Sequence, residues 1–223
     1  MDGMKIQIAE IQAKMTSLLS AKGYAQADIP FIIEMYLGGE LRGHTSHGLA
    51  SFPGFLERAS SGTGEPEVIT QTDAFSLIDA KSNPGILIGK RAADEAISRA
   101  KRQVTGFSMI KNMDSWLRPG AIAQYIAGLG YLGIVVNSGG GANVAPPGGF
   151  DPVAGTNPVA YGIPTEDGAL VVDMATAKHA WGEVRLANKY HTELPADTFY
   201  DNEGNVTRDP AKEIGRASCR ERV

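Results

Sequence analysis

The chain has 223 residues, 43% of them hydrophobic, with 21 Lys and Arg against 25 Asp and Glu and a formal net charge of −4. That is enough apolar material for a sizeable core in one large domain or two small ones, while the acidic balance and the lack of any Lys/Arg run argue against a nucleic-acid partner. No apolar run approaches the roughly 18 residues of a membrane span, and the single cysteine, Cys219, with an opening segment that lacks a signal-peptide core, predicts a reducing, cytoplasmic setting.

Ile8, Ile11, Met15, Leu18 and Leu19 recur at three- and four-residue spacings and predict a first helix that Gly23 ends. Asp28 is placed to cap a second helix through Phe31, Ile32 and Met35, expected to loosen at Gly38-Gly39 just before the segment LRGHTSHG. FSLIDA at 75–80 reads as a strand. In the following helix Ile88, Ala92, Ala96, Ile97 and Ala100 share one face. VTGFSMIKN, LGIVVNS, NPVAYGIP and ALVVDMAT read as short strands separated by Gly/Pro clusters, with AIAQYIAGLG as a helix between the first two. The fold class is α/β or α+β.

Gly128, Gly130 and Gly133 in GLGYLG have the spacing of a dinucleotide fingerprint but follow a helix and lead into a strand, the reverse of the order that faces a helix N-terminus to a pyrophosphate. A helix C-cap and connector is the better reading. His44 and His47 lie three apart, a spacing that suits two metal ligands on a turn, yet no third ligand is near, so no metal is expected. The competing readings for a histidine on a Gly-flanked loop are general acid/base chemistry and a structural role. Ser46 invites a hydrolase reading, but adjacent side chains seldom aim at each other and no G-x-S-x-G elbow occurs. DNEGN at 201–205 reads as a hairpin turn, because Val206 stands where a calcium loop requires Gly. Trp116 and Trp181 read as core or interface residues, and His179 and His191 carry no motif. Asp173 ends an apolar strand, where a carboxylate either faces a crevice or caps the next helix.

In order along the chain, RGHTSHG, IKNMDSWLRPG, GLGYLGIVVNS, VAPPGG, GTNPVAYGIP and VVDMATA resemble the malate/L-lactate dehydrogenase-like oxidoreductases over residues 5–213. A helix after Pro53 echoes another family stretch at 53–62. The resemblance implies an α/β fold with a non-Rossmann cofactor domain and a helical N-terminal portion. It also implies an NAD(P)-dependent enzyme that reduces small 2-oxo acids or keto-sugar acids, or oxidises 2-hydroxy acids, with NAD or NADP as cofactor, and a homodimer. By the same resemblance His47 is the proton donor to the carbonyl oxygen, with Ser46 beside it and Asp173 nearby. The cofactor lies along Ala169, Leu170, Val171, Val172, Asp173, Met174 and Ala175.

Ser51 stands where the family's S-H-G-x-x-R pattern has an arginine suited to gripping a carboxylate. Ser115 stands where its N-H-W-x-R segment has histidine; Arg118, with Ser115, is the expected substrate contact. The family continues through a P-x-G-x-x-K-G-like segment, and IGRASCRERV at 214–223 resembles none of it, so the chain is expected to be a truncated relative with a foreign tail. The expected organisation is a helical portion with the histidine loop at 1–72, a mixed α/β cofactor-binding portion at 73–213, and that tail. A non-catalytic relative that keeps the fold and at most binds a ligand is the alternative to the enzyme.

Overall fold

The computed structural model describes residues 5–58, 62–139 and 141–213 and the backbone of Gly215–Arg216. The expected foreign segment otherwise lies outside the described residues. The chain forms two compact units, Met1–Leu117 and Arg118–Val223. The division expected after residue 72 falls between two paired strands of the first unit.

Helix α1 (Ile8–Ala21) buries Met15 and Leu19 and ends as the sequence predicts. Gly23 takes φ +83°, which frees its N–H for Ser20 O and that of Tyr24 for Leu19 O. Helix α2 (Ile29–Leu41) is buried nearly all round, through Ile29, Ile32, Ile33, Met35, Tyr36 and Leu37. Asp28 stands at its N-cap position without a side-chain cap bond. The expected loosening at Gly38-Gly39 does not occur; the helix runs through both glycines. Two short 3₁₀ turns, Thr45–His47 and Leu49–Ser51, lead into α3 (Phe52–Glu57). Phe52 and Phe55 pack on Tyr36 with ring centroids 5.1 and 5.5 Å away, and burial pushes the Tyr36 phenol well above its ordinary range.

Strands β1 (Glu67–Gln71) and β2 (Phe75–Asp79) pair antiparallel, and β2 pairs parallel with β3 (Phe107–Lys111) through the crossover helix α4 (Gly85–Gln103). Ile88 and Ala92 of α4 join Ile78 and Ala80 in one core cluster. Ile97 is also buried as expected, but so is Arg99, at 3% exposure. Its guanidinium lies 3.4 Å from Glu95, which also accepts the Ser76 hydroxyl at 3.0 Å, so a charged face of the helix covers a polar strip of the sheet.

In the second unit α5 (Pro119–Gly128) precedes an antiparallel sheet of β4 (Gly133–Val136), β5 (Val159–Thr165) and β6 (Gly168–Met174), in that order. Gly130, at φ +86°, donates its N–H to Ala127 O at the end of α5, so GLGYLG is the connector its order predicts. Alternation puts Gly133, Val135, Ala160 and Gly162 on the buried face of the sheet. Ile134, Val136, Tyr161, Ile163, Leu170, Val172 and Met174 are exposed. Helix α6 (Trp181–Tyr190) packs Val184 and Ala187 with Leu194 and with Phe199 of β7 (Phe199–Tyr200), which pairs with β8 (Gly215–Arg216). Residues 201–205 form the expected turn: Asp201 N–H reaches Asn205 O, and Tyr200 bridges Val206.

Helix and sheet approach closely at Gly162, where a Cβ would overlap the Ala123 carbonyl of α5. Gly162→Ala is therefore expected to cost about 2 kcal/mol by overpacking. It should lower the urea midpoint at unchanged slope; an unaltered midpoint would show that α5 can lift off the sheet freely.

Candidate active site

The histidine loop is seated directly on the end of α2. A Cβ on Gly39 would meet the His47 carbonyl carbon at 3.1 Å and its oxygen closer still. Gly39 thus admits a second backbone rather than weakening the helix. His44 N–H donates to Gly39 O at 2.9 Å and His47 N–H to His44 O at 2.8 Å, which winds Thr45–His47 into its turn. That turn places Ser46 Oγ 2.9 Å from His47 Nδ1. The expectation that these neighbours point apart is corrected here: 3₁₀ winding and half-burial bring them together. Ser51 donates its hydroxyl to Gly48 O at 2.8 Å and so closes the turn from the other side.

The parallel strands β2 and β3 end at Asp79 and Lys111, and the segment carrying Ser115 follows β3 directly. Asp79, 7% exposed, accepts Lys81 N–H at 3.0 Å and the Asn112 amide at 3.1 and 3.2 Å. The Lys81 backbone bond, the Asn112 amide and the Lys81 and Lys111 ammonium groups together outweigh burial and hold its carboxyl below the ordinary range. Beyond Asn112, Trp116 is buried against Gly85, and Ser115 Oγ accepts Leu117 N–H at 3.2 Å. Leu117 itself adopts φ +68°, a strained conformation for a side chain of its kind.

A depressed folded-state pKa gives stability that is present above the unfolded carboxylate value of about 3.9 and lost as pH falls through the folded value. Asp79→Asn should therefore weaken the protein at neutral pH and flatten the acid side of its stability profile below pH of about 4. Parallel acid limbs for variant and parent would contradict this assignment.

In the second unit Asp173 sits on β6 and reaches back 53 residues to α5, where Oδ2 accepts Gly120 N–H at 3.1 Å. It therefore serves the N-terminus of the preceding helix rather than capping the following one. Arg118, 7% exposed, lies just before α5 with its guanidinium 3.8 Å from the same oxygen. A Cβ at Gly120 would collide with the Asp173 side chain, so the contact depends on glycine there. The segment Ala169–Ala175 comprises most of β6 and the residue after it, and β6 is one of the two edge strands of its sheet among the described residues.

The structure thus pairs Ser46 with His47, and Arg118 with Asp173, while Ser115 accepts the N–H of Leu117. Among the described residues no group of three His, Cys, Asp or Glu side chains is arranged to hold a metal, and His44 is exposed. His179 pairs with Glu183 at 2.7 Å and stacks on Phe199, at the start of α6. Trp181 is 48% exposed, unlike Trp116. Sequence reasoning missed Glu40 and Asp79 as loop-holding groups; the only available signal for Glu40 was its place directly after Gly38-Gly39.

Residues 6–219 match the malate/L-lactate dehydrogenase family, and the chain belongs to that family. It is 29% identical over 212 residues to the 2,3-diketo-L-gulonate reductase of Citrobacter koseri, which covers 93% of this chain and 63% of that protein. It is 30% identical over 211 residues to the malate/(S)-sulfolactate dehydrogenase of Methanothermus fervidus, covering 93% and 62%. The crystal structure of a dehydrogenase from Sinorhizobium meliloti matches with a TM-score of 0.88 at 25% identity, over 97% of this chain and 66% of the other. The chain spans less than two thirds of the length of these proteins.

Proposed function

We propose that this chain belongs to an NAD(P)H-dependent reductase of small 2-oxo acids or keto-sugar acids, with His47 giving the proton to the carbonyl oxygen. The observation that carries the reading is the Ser46 Oγ to His47 Nδ1 pair at 2.9 Å, on an S-H-G turn of a chain matched to this family almost end to end. In the imidazolium, Nδ1–H donates to Ser46 Oγ, and the proton transferred is that of Nε2. After transfer the neutral ring keeps its Nδ1 proton on Ser46, so the ring need not turn during the step. General acid catalysis of this kind contributes about 10² to 10⁴ in rate.

The residues present fit a nicotinamide dinucleotide. Leu170, Val172 and Met174 are exposed apolar side chains on an edge strand, and the outer side of that strand offers main-chain donors and acceptors. When bound, the reduced nicotinamide supplies the hydride. Asp173 keeps this strand fixed to α5 through Gly120 N–H, and Arg118 and Ser115 are the proposed substrate contacts. A cytoplasmic homodimer is part of the same reading. A second reading, a non-catalytic relative, is favoured by the commitment of Ser51 and Ser115 to backbone partners where the family has Arg and His; turnover separates the two.

His47→Asn should leave binding of reduced cofactor nearly unchanged, as read by nicotinamide fluorescence, and lower turnover by about 10²-fold or more. Equal turnover in variant and parent would remove His47 from the mechanism. Ser51→Arg should raise kcat/KM for pyruvate relative to keto-sugar acids by about tenfold through a regained carboxylate contact. An unchanged ratio across the panel would sever the link between Ser51 and substrate choice.

A further inference from the structure

Glu40 is the penultimate residue of α2, where the helix dipole disfavours a carboxylate. Its compensation comes from the loop: Oε2 accepts the Leu49 N–H at 2.9 Å, nine residues on. Gly48 lies flat against the same residue, since a Cβ there would stand 3.0 Å from Glu40 N and Cα and overlap Oε2. The carbonyl oxygens of Gly39 and Glu40 meanwhile take the amides of Arg42, Gly43 and His44. His47 is thereby held from both sides, upstream by the helix end and downstream by the Glu40 carboxylate.

We propose that Glu40 is a positioning residue for His47, fixing the Gly48-Leu49 backbone so that the imidazole keeps its Nδ1 contact with Ser46. Its catalytic consequence rests on the reading of His47 as proton donor. The positioning itself does not. What matters is an acceptor at the reach of Oε2 rather than negative charge. Glu40→Gln retains that acceptor in its amide oxygen, Glu40→Asp keeps the charge one methylene short, and Glu40→Ala loses both.

The test is the nitrogen NMR spectrum of the His47 ring, read with kcat and KM for parent, Glu40→Gln, Glu40→Asp and Glu40→Ala. In Glu40→Ala and Glu40→Asp the ring nitrogens should move toward tautomer-averaged positions. Turnover should fall by about 10²-fold with cofactor affinity unchanged, as displacement of a catalytic group by about 1 Å implies. Glu40→Gln should restore both the spectrum and the rate. Ring signals that ignore all three substitutions, or a Gln variant as impaired as the Ala variant, would overturn the proposal. Should His47→Asn turn over normally, a ring spectrum that still answers to Glu40 would support the positioning while the proton-donor reading fell. If Glu40→Ala does not fold, the Asp and Gln pair carries the comparison.

Discussion

Close approach of one stretch of backbone to another, at positions that only glycine can occupy, is the constraint on which both units depend. Gly39 and Gly48 let the histidine turn lie on the end of α2, and Gly120 and Gly162 let α5 lie on β5 and β6. A single methyl group at any of these positions meets backbone or a carboxylate, and dense interiors do not yield easily to such an insertion. The consequence for function is positional. His47 in the first unit and Asp173 in the second are placed by main-chain packing, joined in the histidine loop by the Glu40 carboxylate.

Polar fixation follows the same plan in three places. The carboxylates of Glu40, Asp79 and Asp173 each accept a backbone N–H from outside their own helix or strand: Leu49, Lys81 and Gly120 respectively. Charged acceptors make stronger hydrogen bonds than neutral ones, and a half-buried amide left without a partner is costly. Each bond therefore stabilises the local fold and removes alternative loop conformations. Rigidity of this kind is what the proposed role of His47 as a proton donor requires.

Much of the element order was legible because period and punctuation agreed. Gly23, the strand FSLID, the α4 face around Ile88 and Ala92, and the reversed glycine fingerprint all read from local pattern. The failures share one cause, which is that the deciding partner is remote in the chain. Gly38-Gly39 look like a helix break until the His47 backbone is seen against Gly39, and Asp173 reads equally as a crevice-facing carboxylate or a cap for the next helix until its bond to Gly120 appears. Buried Arg99 could not be read from its charged helix, since its burial depends on Glu95 facing Ser76 across the sheet. Ser46 and His47 were legible as a motif, but their mutual contact required the 3₁₀ turn that α2 imposes.

The most direct measurement is the consumption of NADH and NADPH by the purified chain, followed by loss of reduced-nicotinamide absorbance as pyruvate, oxaloacetate and a set of keto-sugar acids are added one at a time. Consumption that begins only on addition of a 2-oxo acid, and stops when that acid is exhausted, is the expected result. Binding of reduced cofactor without consumption in the presence of every acid would contradict the reductase and leave the non-catalytic relative as the better description of this protein.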